Sequence, residues 1–205
     1  MLGGAALENG QFAEAQKLYR EATELAPAWP LAFVQLGVAL LASFPENDEA
    51  IVALGRAVAL DDNNPRAHMQ LGRAFAQRNR YEEARDSFKR ALALRGDLKE
   101  ARFELAGALA ITGPAAEAIA AYLEVLAVEP QNFAALSALA DLYEQTGQKG
   151  SAESALLAIT RLFPTVPYHR YRLAQFYERV GEAKKAMRVF AELEANDPRQ
   201  RKMRQ

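Results

Sequence analysis

A spacing of 34 residues runs through this chain and restricts its fold more than any other feature. Alanine recurs at Ala15, Ala50, Ala84, Ala118, Ala152 and Ala186, in steps of 35, 34, 34, 34 and 34. Leucine recurs at Leu2, Leu36, Leu71, Leu105, Leu139 and Leu173, in steps of 34, 35, 34, 34 and 34. The extra residue falls between Leu36 and Ala50, in the stretch SFPEND. A large apolar residue follows each alanine by four: Tyr19, Leu54, Phe88, Tyr122, Leu156 and Phe190. A period of this length marks one supersecondary unit copied in series. Each copy buries its apolar face only by leaning on its neighbours.

Within a unit the apolar residues fall at helical spacing, as in Phe33, Leu36, Gly37 and Leu40, then Leu54, Ala57, Val58 and Leu60. No stretch alternates with period two between turn signals, so essentially no strand is expected. A small alanine lets two helices approach closely, and the leucine and the large residue fill the space beside that contact. Gly10, Gly113, Gly147 and Gly181, with Asn79 in the third unit, stand where a left-handed backbone would end the first helix. Pro27, Pro130, Pro164 and Pro198 close four units, and Asp62 and Gly96 close the others. Proline cannot continue a helix interior, so it punctuates the boundary. Pro45, inside SFPEND, is expected to end the first helix of the second unit.

These residues resemble the tetratricopeptide repeat (TPR) family, whose pattern is W-x2-L-G-x2-Y…A-x3-F…P. It reads here as Phe33-x2-Leu36-Gly37 and as His68-x2-Leu71-Gly72-x2-Phe75…Ala84-x3-Phe88. Phe33, His68, Arg102, Leu136 and Arg170 stand where the family favours Trp, and Ala106, Ala140 and Ala174 replace its Gly after Leu. The resemblance implies an all-α fold, a right-handed superhelical solenoid of about six helix–turn–helix units. The units are 1–29, 30–64, 65–98, 99–132, 133–166 and 167–200, in one solenoid domain over 1–205, with 201–205 a truncated capping helix. Asp197 and Pro198 make a good helix start. The helix they open stops soon, and about nine residues precede Gly10. The chain is therefore expected to be a piece of a longer protein, or one whose terminal units pair with another copy.

The rest of the composition narrows the function classes. Alanine makes up about one residue in five, well above an ordinary share. With no Cys, disulfides, thiolate catalysis and Cys-ligated metals are excluded. No uncharged apolar window approaches ~18 residues, so no transmembrane helix is expected. No signal peptide is visible, and the compartment stays open between cytoplasm and periplasm. The net charge of −1 argues against a polyelectrolyte partner. Its distribution is uneven: residues 1–60 hold 3 basic and 7 acidic side chains, and residues 161–205 hold 11 and 5. The basic end lacks the dense Arg/Lys stripe with stacking residues that nucleic-acid binding asks for.

Catalytic signals are weak. The two histidines, His68 and His169, lie in different units. His68 takes a packing position, and His169 follows Pro167-Tyr168 near a helix start, where partial exposure is expected. Two isolated imidazoles do not make a metal constellation. No phosphate-loop, zinc-protease or nucleophile-elbow motif occurs. No cofactor and no enzyme are expected.

The resemblance implies that first helices line a concave groove through the second, fifth, ninth, twelfth and thirteenth residues of each unit. The candidates on that lining are Val34, Val38, Leu41, Arg66, Met69, Arg73, Gln77, Phe103, Asp141, Tyr168, Tyr171 and Gln175. Val34, Val38 and Leu41 lie off the Leu36/Leu40 face, so a docked peptide or helix could bury them, unless the neighbouring unit already does. Arg66 and Arg73 flank Met69 and could grip a carboxylate. Tyr168, Tyr171 and Gln175 form an aromatic, hydrogen-bonding lining. The Lys/Asn pair by which family members grip chaperone tails is missing. The expected function is a non-catalytic scaffold binding a protein or peptide partner in the groove. The alternative is a substrate-positioning or dimerisation segment of a larger enzyme, such as a TPR-linked glycosyltransferase or sulfotransferase.

Overall fold

The computed structural model describes residues 2–43 and 48–196. Pro45, and the Asp197–Pro198 helix start with the 201–205 cap, lie outside the described residues. Twelve helices and no strand occur among the described residues. They are α1 (Leu2–Glu8), α2 (Phe12–Leu25), α3 (Pro30–Ser43), α4 (Asp48–Leu60), α5 (Pro65–Gln77) and α6 (Tyr81–Leu94), followed by α7 (Lys99–Thr112), α8 (Ala115–Val128), α9 (Phe133–Gln145), α10 (Lys149–Leu162), α11 (Pro167–Arg179) and α12 (Ala183–Asn196). Odd-numbered helices open a hairpin and even-numbered ones close it. From α3 on, each odd helix begins on the first residue of a unit as drawn from the repeat.

The chain forms two compact units, Met1–Ala121 and Tyr122–Gln205, with the division inside α8. In the first, every helix from α1 to α6 packs on the next, and α3 on α5 and α5 on α7 bring first helices together. In the second, α9 packs on α10, α10 on α11, and α11 on α12.

The repeated alanines are enclosed by this packing. Ala15, Ala50, Ala84, Ala118 and Ala152 are fully buried and Ala186 nearly so. On the facing first helix stands a glycine in three hairpins. A Cβ at Gly37 would lie 2.4 Å from Leu54 Cγ, one at Gly72 2.6 Å from Phe88 Cε1, and one at Gly3 2.8 Å from Tyr19 Cζ. The family glycine is thus a place where a large side chain of the second helix lies on bare backbone.

Four hairpin turns share one closure. Gly10, Asn79, Gly147 and Gly181 all have positive φ, from 58° to 82°. The residue after each donates its N–H five residues back: Gln11 to Ala6 O at 2.8 Å, Arg80 to Phe75 O at 2.9 Å, Gln148 to Tyr143 O and Glu182 to Tyr177 O at 2.8 Å. This is the Schellman closure of a helix end. Gly113 departs from the expectation. Its φ of −117° and ψ of 177° are extended. The cause is Pro114, which supplies no N–H for the closing bond and biases the residue before it toward extended backbone.

Helix starts are fixed locally as well. The Asn64 side chain accepts from Arg66 N and Ala67 N, both at 3.1 Å, with Pro65 in the first turn. Asn132 does the same for Ala135 N at 3.0 Å. Glu82 and Glu83 occupy the first turn of α6, where carboxylates suit the macrodipole. Asp61 and Asp62 lie instead in the turn after α4, four and three residues before α5 starts.

His68 is buried, as its packing position implied, and its Nε2 lies 3.0 Å from Asp62 O. Asp62 also receives Arg90, and that guanidinium holds its carboxyl below the usual range. His169 departs from the expected partial exposure. It is buried, with ring centroids 5.1 Å from Phe133 and 5.5 Å from Phe163, and Tyr168 beside it at 5.9 Å. Burial first, and the Arg172 charge second, hold its imidazole below the ordinary value of 6.5.

Three outcomes follow from this packing. Gly72→Val should destabilise the chain by about 1–3 kcal/mol through overpacking, and Phe88→Leu in the same chain should recover part of it; urea midpoints by circular dichroism measure both. Asn64→Ala should cost about 1 kcal/mol through the lost cap. For His169 the folded pKa lies below the unfolded one. The stabilisation is whole above the unfolded value and drains as pH falls through it toward the folded value. Replacing His169 with Phe should reduce the fall in urea midpoint between pH 7.5 and pH 5.5.

Candidate functional site

The twelve residues read as a lining do not share one environment. In the unit Met1–Ala121, Val34 is 1% exposed and packs with Ala57 and Ala67. Val38 is half-buried against the same cluster, and Leu41 against the cluster of Leu36 and Leu40. Met69 is buried among Phe88, Ala91 and Ala101. The expectation that Val34 and Met69 stand open on the lining is therefore corrected. The fifth residue of α3 and of α5 points into the seam made with the next hairpin, because α3 packs on α5 and α5 on α7. The apolar surface left on α3 is Leu31, 44% exposed, with Ala42.

The polar candidates of that unit stay accessible. Arg66 and Gln77 are exposed, and Phe103 is half-buried. Arg73 does not wait for a ligand, since its Nε donates to Glu104 Oε1 of α7 at 3.3 Å. Arg66 and Arg73 do flank Met69 in sequence, but a joint grip on one carboxylate would cost Arg73 its present partner.

In the unit Tyr122–Gln205 the lining is open. Tyr168 is 64% exposed and Tyr171 46% exposed, Asp141 is exposed, and Gln175 is half-buried. Among the described residues α11 is the last first helix, so none of these covers Tyr171 as α5 and α7 cover the fifth residues before them. Tyr171 is steadied from the other side by the edge of Phe190, 6.0 Å between centroids. Beside the tyrosines, polar bonds tie α11 to α9. Arg172 donates to Ser137 Oγ at 2.7 Å and also binds the Asp141 carboxylate. Arg179 pairs with Glu144.

Arg172 is the functional residue that sequence reasoning missed. It is the sixth residue of its unit, off the pattern used to pick the lining, and its side chain is only 17% exposed. Its signal was a cation 35 residues after Ser137 and 31 after Asp141, close to one repeat. Such a bond between successive first helices sets their spacing, and it pairs the Arg172 charge with an Asp141 carboxylate that keeps one exposed edge.

The arrangement offers contact area and hydrogen bonding. Among the described residues no group of three or more His, Asp or Glu side chains is placed to hold a metal ion. No described helix is long and apolar enough to cross a membrane.

Sequence profiles described as tetratricopeptide repeat match residues 1–67, 46–99, 69–135 and 112–170. No curated protein sequence matches the chain. Among solved structures, PilW, a widely conserved type IV pilus biogenesis factor, is 21% identical with a TM-score of 0.75, covering 96% of this chain and 91% of PilW. YrrB, a TPR protein with an unusual peptide-binding site, is 19% identical with a TM-score of 0.73, covering 90% of this chain and 94% of YrrB. MamA from Desulfovibrio magneticus RS-1, taken from residue 41 to its end, is 20% identical with a TM-score of 0.71, covering 82% and 97%. At these identities the likeness concerns the fold, an all-α solenoid of helix–turn–helix repeats. Phased alanines, glycines under large side chains, Schellman turns and profile matches over most of the sequence agree, and the chain belongs to the tetratricopeptide repeat family.

Proposed function

We propose that the chain is a non-catalytic protein-interaction scaffold and that a peptide or helix of its partner lies across the first helices α9 and α11. The observation that carries this reading is the pair of exposed tyrosines, Tyr168 and Tyr171, beside helices held in register by Arg172 and Arg179. Tyrosine gives a large contact area at low entropic cost, and it is enriched where interfaces concentrate their energy. An apolar or aromatic partner side chain would lie on the two rings, and Gln175 would meet a backbone amide. Asp141 keeps an exposed carboxylate edge for a donor. The peptide-binding site named for YrrB gives the reading a parallel on the same fold.

Within the other unit, Arg66 and Gln77 are exposed polar positions of α5 that a partner could meet separately, with Arg73 and Phe103 partly covered. Val34 and Met69 take no direct part. A charge placed at Val34 would test the core and not the lining.

The test begins with peptides selected on the intact chain from a random 12-residue display library. Their affinity is then measured by fluorescence polarisation. Tyr168→Ala with Tyr171→Ala should weaken them by about tenfold or more, the size expected for truncated interface anchors. Helicity should stay unchanged, since both rings are largely outside the core. Equal affinity for the double variant would place binding elsewhere and defeat the assignment to α9 and α11.

A further inference from the structure

The opposite side of α11 faces a cleft that the lining does not include. It has a volume of about 590 Å³ and lies among α10, α11 and α12. Leu157, Leu173, Tyr177 and Val189 make its walls mostly apolar. Four cations also line it, Arg161, Arg170, Lys185 and Arg188, against two carboxylates, Glu153 and Glu192.

Most of these charges are already committed to one another. Glu153 accepts from Tyr177 Oη at 2.8 Å and from Lys185 Nζ at 2.9 Å. The Lys185 ammonium also stands over the Tyr177 ring, 5.2 Å from its centroid. Burial, then the bond to Glu153, pushes the Tyr177 hydroxyl up to about 12, so it remains a donor to that carboxylate. Arg188 pairs with Glu192 along its own helix at 3.3 Å. Arg170 donates to a carbonyl, Pro164 O, which aims the guanidinium without neutralising it. Arg161 is exposed and meets no carboxylate among the described residues. Among the described residues two guanidiniums thus remain without a counter-charge beside an apolar trough.

We propose that this cleft is a second interaction site that takes an acidic peptide, with a carboxylate held by Arg161 and Arg170 and a neighbouring apolar side chain laid between Leu157 and Val189. Guanidinium matches carboxylate bidentately, and the excess of positive charge selects against basic partners before contact. The apolar walls favour a peptide over nucleic acid or a lipid surface, which would need a denser basic stripe. The site lies on the second helices α10 and α12 with the inner side of α11. It therefore stands or falls separately from the tyrosine lining.

The probe is a fluorescein-labelled 12-residue peptide of alternating Glu and Leu, titrated with the intact chain by fluorescence anisotropy. Single-stranded poly-U and vesicles containing one third phosphatidylserine are titrated in parallel. Saturable peptide binding is expected, weakened about tenfold by Arg161→Glu. Arg161 is exposed, so this variant keeps the fold. Arg170→Lys, which keeps the charge and loses the fork, should also weaken binding, whereas Lys89→Glu on α6 should not. Absence of saturation, or equal affinity for the Arg161→Glu variant, would overturn the site. Tighter binding of poly-U or vesicles would overturn the peptide assignment. So would self-association of the chain alone, seen by sedimentation and abolished by Arg161→Glu, because the cleft would then belong to a second copy.

Discussion

The structure depends on a close approach of two helices over a small residue. In the hairpins α1–α2, α3–α4 and α5–α6 a buried alanine of the second helix is followed four residues on by a large side chain, and that side chain lies on the first helix. Where the contact point is Gly37 or Gly72, the margin is narrower than one methyl group. Dispersion falls steeply with separation, so this spacing decides whether the remaining apolar residues interlock. The high alanine content follows from it. A chain built from many such approaches needs small residues at many positions, and alanine also has the best helix propensity.

The same geometry sorts the polar residues. Once first helices lean together, the fifth residue of α3 and α5 is enclosed, and the polar residues beside the seam pair across it. Arg73 with Glu104, and Arg172 with Ser137 and Asp141, are versions of one bond repeated along different hairpins. What remains for a partner is what these bonds and seams leave over. Around α11 that is two tyrosines on one side and the guanidiniums of Arg161, on α10, and Arg170 on the other, so a single helix divides an aromatic surface from a basic one.

Much of this was legible in the sequence. Unit boundaries were visible because the signals are local: a closing proline at Pro27, Pro130 and Pro164, and a turn glycine at a constant phase. Gly113 was misread because the residue after it, and not the glycine itself, decides whether the Schellman bond can form. His169 and Val34 were misread for a different reason. The partners of His169 are Phe133 and Phe163, and those of Val34 are Ala57 and Ala67. Neither burial is recorded in the helix that carries the residue. The family pattern gave the lining positions as if every first helix stood equally apart, and that spacing is a tertiary property. The cleft escaped notice because its charges come from three helices, and only their pairing separates the committed cations from the spare ones.

Within each unit the described helices α1 to α6 and α9 to α11 each pack on the next in line, and in the first unit α3 also packs on α5 and α5 on α7. Within either unit a mechanical load meets mainly contacts between neighbouring helices among the described residues. Hairpins would peel away singly from whichever end is pulled, each giving up its own interface and exposing only one neighbour. Growth is equally modular, since a duplicated segment of 34 residues brings its own alanine, its own turn and a matching face for both flanks. Lengthening the array then adds surface for partners without asking the existing hairpins to repack.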